Sequence, residues 1–182
     1  ATLALNYAKN GCLDQAFAET LTIPDSLVRN EAWFKIAALY AAENRNSGAL
    51  EFESFLQNSL HKAELLSKVA ANFAESGKLK DATRLIAELK TLNGKNADEL
   101  TETKVDLLLA VAEESRKFGE KHVSEKLLAE AGRLAKSAWY SEVRAKTLTK
   151  VTAAYFDIEN ENKGLYFLTL AWEAARTCPT LS

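Results

Sequence analysis

Apolar residues recur along this chain with the period of an α-helix. In four segments they stand three and four residues apart, which places them on one side of a helix. These groups are Trp33, Ile36, Ala37 and Tyr40; Leu66, Val69, Ala70 and Phe73; Leu108, Val111 and Ala112; and Leu148, Val151 and Tyr155. No window alternates apolar and polar residues between turn signals, so the pattern predicts an all-α protein without a sheet.

Glycine, proline and capping residues divide the chain into predicted helices. Gly11 and Gly77 follow helix ends, and Pro24 pushes the residue before it out of the helical region. Ten helices result, which pair into five antiparallel hairpins of one domain, 1–182, at about 1–23, 25–60, 62–93, 98–137 and 141–177. The return helix of the second hairpin is predicted over 49–60. Residues 93–96 are predicted to be an insertion and a hinge.

Two small or aromatic residues stand nine positions apart in each hairpin, and these pairs repeat along the chain. The pairs are Tyr7 and Ala16, Tyr40 and Ala49, Phe73 and Ala82, Ser115 and Ser124, and Tyr155 and Gly164. They are separated by intervals of 33, 33, 42 and 40 residues. A period of this size predicts an array of stacked helical hairpins. We call positions related by these four intervals equivalent.

The best-formed unit, from Trp33 through Tyr40 to Ala49, resembles the tetratricopeptide repeat (TPR). That family has tryptophan, leucine, glycine and tyrosine at fixed spacing, followed nine residues later by a small residue. The residues that fit the same pattern elsewhere are Leu66, Val69, Ala70, Phe73, Ala82 and Ile86, and then Leu148, Val151, Thr152, Tyr155, Gly164 and Leu168. The resemblance covers essentially the whole chain and implies a right-handed α-solenoid. A HEAT-type or other α-solenoid is the alternative architecture.

In this family the first helices of the hairpins line a concave groove that binds a peptide or a partner protein. The resemblance therefore implies a groove lined by Phe34, Lys35, Ala38, Ser67, Lys68, Leu109, Glu113, Lys150 and Phe156. Lys35, Lys68 and Lys150 form a basic row that would hold an acidic segment. Alternatively, Lys35 and Lys68 pair with glutamates four residues earlier and need no ligand.

The predicted last helix is apolar on almost every side, although the terminal repeat of an array needs a polar outer face. We therefore expect an interface at Tyr166, Phe167 and Leu170, through which the chain forms a homodimer or meets a further domain. The alternative is that these side chains pack under the preceding hairpin.

Composition and charge restrict the partners. With 23 basic and 25 acidic residues, the net charge of −2 gives no basic footprint for nucleic acid or for an anionic membrane. The cysteines Cys12 and Cys178 lie far apart without metal-ligand spacing, which is typical of a reducing, cytoplasmic protein. The chain has no methionine, so we expect it to be part of a longer protein or array.

No arrangement of residues predicts catalysis. His61 and His122 stand at predicted helix starts without a nucleophile nearby in a known motif, and no phosphate-binding loop occurs. We expect no enzyme activity, cofactor or metal. The sequence predicts a protein-interaction scaffold; the alternatives are a ligand-sensing regulatory module and an RNA-binding helical repeat.

Overall fold

The computed structural model describes residues 2–92 and 97–178. Over these two ranges it contains ten α-helices, one 3₁₀ helix and no strand, which confirms the all-α class. The helices are α1 Thr2–Lys9, α2 Leu13–Leu21, α3 Ser26–Ala42, α4 Asn46–Glu51, α5 Ser59–Glu75, α6 Leu79–Thr91, α7 Ala97–Lys117, α8 Lys121–Ser137, α9 Ser141–Asp157 and α10 Glu161–Arg176, with the 3₁₀ helix at Glu53–Phe55. The predicted hinge at 93–96 lies outside the described residues.

The anchor pairs found in the sequence enclose five hairpin turns that share one backbone geometry. In each turn one residue has a φ between 58° and 81°, and these residues are Gly11, Asn44, Gly77, Gly119 and Glu159. They occupy equivalent positions. The residue after each one donates its backbone N–H to the carbonyl of the first anchor, as from Lys78 to Phe73 at 2.8 Å. This bond closes a helix C-terminus. The constant nine-residue spacing within each anchor pair therefore reflects one turn geometry that is repeated five times.

The second hairpin departs from the predicted helix over 49–60. The helix α4 is only six residues long, a 3₁₀ turn follows, and Phe52 and Leu56 point into the core. The Asn58 side chain accepts a 2.8 Å hydrogen bond from the Leu60 N–H and so caps α5, which therefore begins at Ser59 and includes Leu60. The end of the predicted return helix is thus the start of the next helix.

Each hairpin packs against the next one. The first helices contact one another in chain order, α1 with α3, then α5, α7 and α9, and each also packs on the return helix that follows it. Four equivalent positions on these helices are buried, namely Trp33, Leu66, Leu108 and Leu148. One contiguous cluster of buried side chains runs from Ala4 to Ala174. Burial of this shared apolar face is what holds the hairpins together.

A basic residue near the start of each first helix from α3 onward joins consecutive hairpins. Arg29 donates to the Ile23 carbonyl at 2.7 Å, Lys104 to the Leu92 carbonyl at 2.7 Å, and Arg144 to the Trp139 carbonyl at 3.3 Å. At the remaining equivalent position, Lys62 pairs with the Glu53 carboxylate. Arg29, Lys104 and Arg144 thus meet backbone carbonyls that lie one or two residues past the end of the preceding return helix, where its partial negative charge favours a cation. Burial lowers the pKa of Lys104.

Candidate binding cleft between α7 and α9

A cleft of about 620 Å³ lies between α7 and α9, with residues of α8 at its base. Its apolar lining includes Leu109, Ala153 and Ile158, and its charged lining includes Arg116 and Asp157. Near the α9–α10 turn, a neighbouring depression of about 460 Å³ shares Arg116 and Asp157 with the cleft. Clefts of several hundred Å³ with a few charged groups on an apolar lining are suited to ligand binding.

The cleft lies where a side-chain bridge that is present between α3 and α5 is missing. Between α3 and α5, the buried Asn72 amide donates to the Ala41 carbonyl at 2.7 Å and to Asn46 Oδ1 at 2.9 Å. The equivalent of Asn72 on α9 is Ala154, which lines the cleft. An alanine can neither donate such bonds nor fill the space of an asparagine side chain.

The other two members of that bridge also have different equivalents at the cleft. The position of Ala41 is taken by Arg116, and that of Asn46 by Lys121. Arg116 lines both depressions and Lys121 lines the smaller one. Long cationic side chains therefore border the cleft at the positions where the second hairpin has the short side chains of Ala41 and Asn46.

An ion-pair cluster holds one side of the cleft. Lys150 Nζ on α9 lies 2.6 Å from Asp106 Oδ1 and 3.2 Å from Glu102 Oε1, both on α7. Lys146 lies 2.5 Å from the same oxygen of Glu102. Burial acts to lower the pKa of Lys150, but hydrogen bonds to Asp106 and Glu102 outweigh it and raise the pKa. The hydrogen bond from Lys146 is the main reason that the pKa of Glu102 is lowered.

Lys150 therefore ties α9 to α7, whereas two other charges of the cleft are unengaged. Arg116 and Asp157 are exposed and form no ion pair within the two described ranges. A guanidinium offers five donors to carboxylates or carbonyls, and Asp157 offers acceptors. The cleft can thus receive hydrogen bonds of both kinds beside an apolar strip at Leu109 and Ala153.

The structure brings together three of the residues that the sequence placed in the groove. Leu109, Glu113 and Lys150 all line the cleft. Glu113 lies 3.1 Å from Lys117, so part of its charge is balanced within α7. Phe156 lies outside the cleft, with its ring packed where a side chain on Gly164 would otherwise be.

The remaining groove residues lie on α3 and α5, away from this cleft. The ring of Phe34 stacks on His61 with centroids 4.1 Å apart, and Ala38 and Ser67 are half-buried. Lys35 is exposed and lies 3.2 Å from Glu31, as the paired alternative predicts. Lys68 is exposed and has no ion-pair partner among the described residues, so the pairing with Glu64 that the same alternative predicts is not found.

The predicted end surface requires a correction. Phe167 is only 6% exposed, stacks on Tyr155 with centroids 5.3 Å apart, and packs over Gly132 of α8. It is a core residue, since glycine at 132 leaves room for its ring. Leu170 is half-buried and Tyr166 is 50% exposed.

The outer face of α10 instead carries three exposed apolar residues that the sequence reading did not select. They are Leu165, Leu168 and Trp172, with exposed fractions of 55, 46 and 59%. The helical period gave the signal, because these three positions lie within about 60° of one another, and their centre is about 130° around the helix from that of Phe167, Ala171 and Ala174.

Across the described ranges, no cluster of three or more histidine, cysteine or acidic side chains could hold a metal ion, and no helix is long and apolar enough to cross a membrane. Comparison with known proteins gives no match to a family model, a curated protein or a solved structure.

Proposed function

We propose that this protein is a non-catalytic interaction module that binds an extended peptide segment of a partner in the α7–α9 cleft. The observation that carries the proposal is the open cleft, which is lined by Leu109, Lys150 and the unengaged Arg116. The proposal includes a tetratricopeptide-like, right-handed solenoid and a cytoplasmic location. The five equivalent turns and the chain-order packing of the first helices support the solenoid arrangement.

The chemistry of the cleft suits a segment with an acidic side chain next to an apolar one. Arg116 would receive the acidic group through paired hydrogen bonds, and Leu109 and Ala153 would cover the apolar group. Lys150 would keep its partners on α7, because releasing it would leave Asp106 without its cation and Glu102 with Lys146 alone. Asp157 would pair with a donor of the bound segment, such as a backbone N–H.

The test begins with a displayed library of random 12-residue peptides, selected on the full chain and then measured by fluorescence polarisation. We expect Ala153→Trp, which fills the cleft, to weaken binding of the selected peptide at least about tenfold, or 1.4 kcal/mol. Ala129→Trp is the matched control, because Ala129 is an exposed alanine on α8 outside the cleft.

A second pair of variants tests the charge. Arg116→Glu should weaken binding of an acidic peptide and make the remaining affinity less sensitive to salt. Arg84→Glu reverses an exposed arginine on α6 and should leave the affinity unchanged. Equal affinities for the wild type, Ala153→Trp and Arg116→Glu would refute the cleft as the binding site.

A further inference from the structure

The exposed face of α10 is the equivalent of a face that is covered elsewhere in the molecule. Leu168 and Trp172 are equivalent to Leu128 and Gly132 of α8. Both α8 residues are buried, and Gly132 lies directly under the Phe167 ring of the following hairpin. The same side of α10 is exposed, and it carries large apolar side chains. A contiguous exposed apolar patch of this kind marks an interaction surface.

The residues along this face are complementary to the same face read in the reverse direction, because its two ends carry opposite charges. The exposed positions, listed from the start of the helix, are Glu161, Leu165, Leu168, Thr169, Trp172 and Arg176. At 100° per residue all six fall within a strip about 100° wide. The strip is acidic at its first end, apolar along its length and basic at its last end.

We propose that a second copy of this chain covers the strip, with the two α10 helices packed antiparallel about a two-fold axis. In that arrangement Glu161 faces Arg176 of the second copy, Leu165 faces Trp172, and Leu168 faces Thr169. Every residue contacts the partner that the symmetry requires, as an isologous interface must. Parallel packing would place like charges together at both ends of the strip.

The contacts within one chain leave these groups available. Arg176 stacks on Trp172 of its own helix at 4.6 Å, which places the guanidinium over the apolar strip instead of away from it. Glu161 is exposed and has no ion-pair partner in the described part of the chain. Pairing between copies would therefore break no ion pair of the described monomer.

Sedimentation velocity on the full chain, from about 1 to about 200 µM, tests the proposal, because a single helix pair is a small interface and should dissociate on dilution. We expect the mass to rise from 20.0 kDa towards twice that value. Leu168→Glu and Trp172→Glu should each raise the dissociation constant at least about tenfold. Leu27→Glu, at an exposed leucine on α3, is the matched control and should change nothing.

Charge reversal tests the antiparallel register. Glu161→Arg alone and Arg176→Glu alone should weaken the dimer, and the double variant should restore it. Circular dichroism should show the same helix content for all these variants, since the replaced side chains are exposed.

Crosslinking provides a measurement that does not depend on affinity. With Cys12 and Cys178 replaced by serine, Thr169→Cys should form a disulfide-linked dimer on mild oxidation, because Thr169 lies beside the proposed axis. Thr149→Cys, at an exposed position on α9, should not. A 20.0 kDa monomer at every concentration, or a dimer that is insensitive to Leu168→Glu, would overturn the proposal.

Discussion

The contact between α3 and α5 and the contact between α7 and α9 join equivalent helices, but side-chain hydrogen bonds span the first and a cleft lies in the second. Asn72 spans the first by bonding to the end of α3 and the start of α4. Ala154 occupies the equivalent position in the second, and a cleft of about 620 Å³ lies beside it. Equivalent helix contacts of one repeated backbone therefore differ in the side chains that span them.

The two regions share a core, and the first prediction tests that. Leu66 on α5 and Leu108 on α7 are equivalent and almost fully buried. We expect Leu66→Ala and Leu108→Ala each to reduce the free energy of unfolding by about 2–5 kcal/mol, because each leaves a cavity in the core. Urea denaturation followed by circular dichroism measures this. A loss below about 1 kcal/mol at either site would show that the cores differ.

The second prediction concerns the bridge that only one region has. Asn72→Ala should lower the free energy of unfolding by about 1–3 kcal/mol, because it removes the two hydrogen bonds from the Asn72 amide to the Ala41 carbonyl and to Asn46 Oδ1. The Ala41 carbonyl keeps its other donor, the Asn44 backbone N–H at 3.1 Å. The same denaturation experiment applies, with Ser67→Ala as a control on the same helix. If Asn72→Ala is neutral, the bridge does not stabilise the α3–α5 contact.

The third prediction concerns the ion pairs that join α7 to α9. Lys150→Met keeps the length of the side chain and removes its charge, so the pairing with Asp106 and Glu102 is lost. Because the groups are partly exposed, we expect a loss of only about 0.5–1 kcal/mol, reduced further by high salt. Lys68→Met, at the exposed and unpaired lysine of α5, should change the stability less.

The smallest expected effect is the dependence of this cluster on pH. The pKa of Glu102 is lowered in the folded protein, so its contribution to stability is present above the unfolded value of about 4.3 and is lost as pH falls through the folded pKa. Glu102→Gln should therefore narrow the stability difference between pH 6 and pH 3 by at most about 1 kcal/mol. Thermal unfolding over that pH range measures it, and an unchanged difference would contradict the assignment.

The local pattern of the sequence predicted much of the helical architecture. The five turns follow from residues that end helices, and the burial of Trp33 and Leu66 follows from their spacing. The return helix of the second hairpin was the main error. Phe52 and Leu56 continue the apolar pattern, but α4 ends at Glu51, and the Asn58 cap starts a new helix at Ser59. The basic position shared by Arg29, Lys104 and Arg144 was missed, although its equivalence is visible in the sequence.

The candidate site was less predictable. The repeat pattern predicted Leu109, Glu113 and Lys150, which line the cleft. It equally predicted Phe34 and Lys35, which lie away from the cleft, because a sequence pattern does not show which helix contacts are spanned by side chains. The sequence predicted Lys150 as a cation that is free to hold an acidic segment, but in the fold it pairs with Asp106 of α7. Phe167 reads as an exposed aromatic residue and is buried because glycine stands at 132 on the neighbouring helix.

The sequence by itself determined the helices, the turns and the equivalence of the hairpins, because these depend on residues close together in the chain. Only the tertiary structure decided which contacts are spanned by side chains, which charges pair and which face of α10 remains exposed. Those outcomes depend on side chains that are far apart in the chain, such as Asn72, whose amide donates to the Ala41 carbonyl 31 residues away. Packing between distant segments sets them, and a local pattern carries no record of that packing.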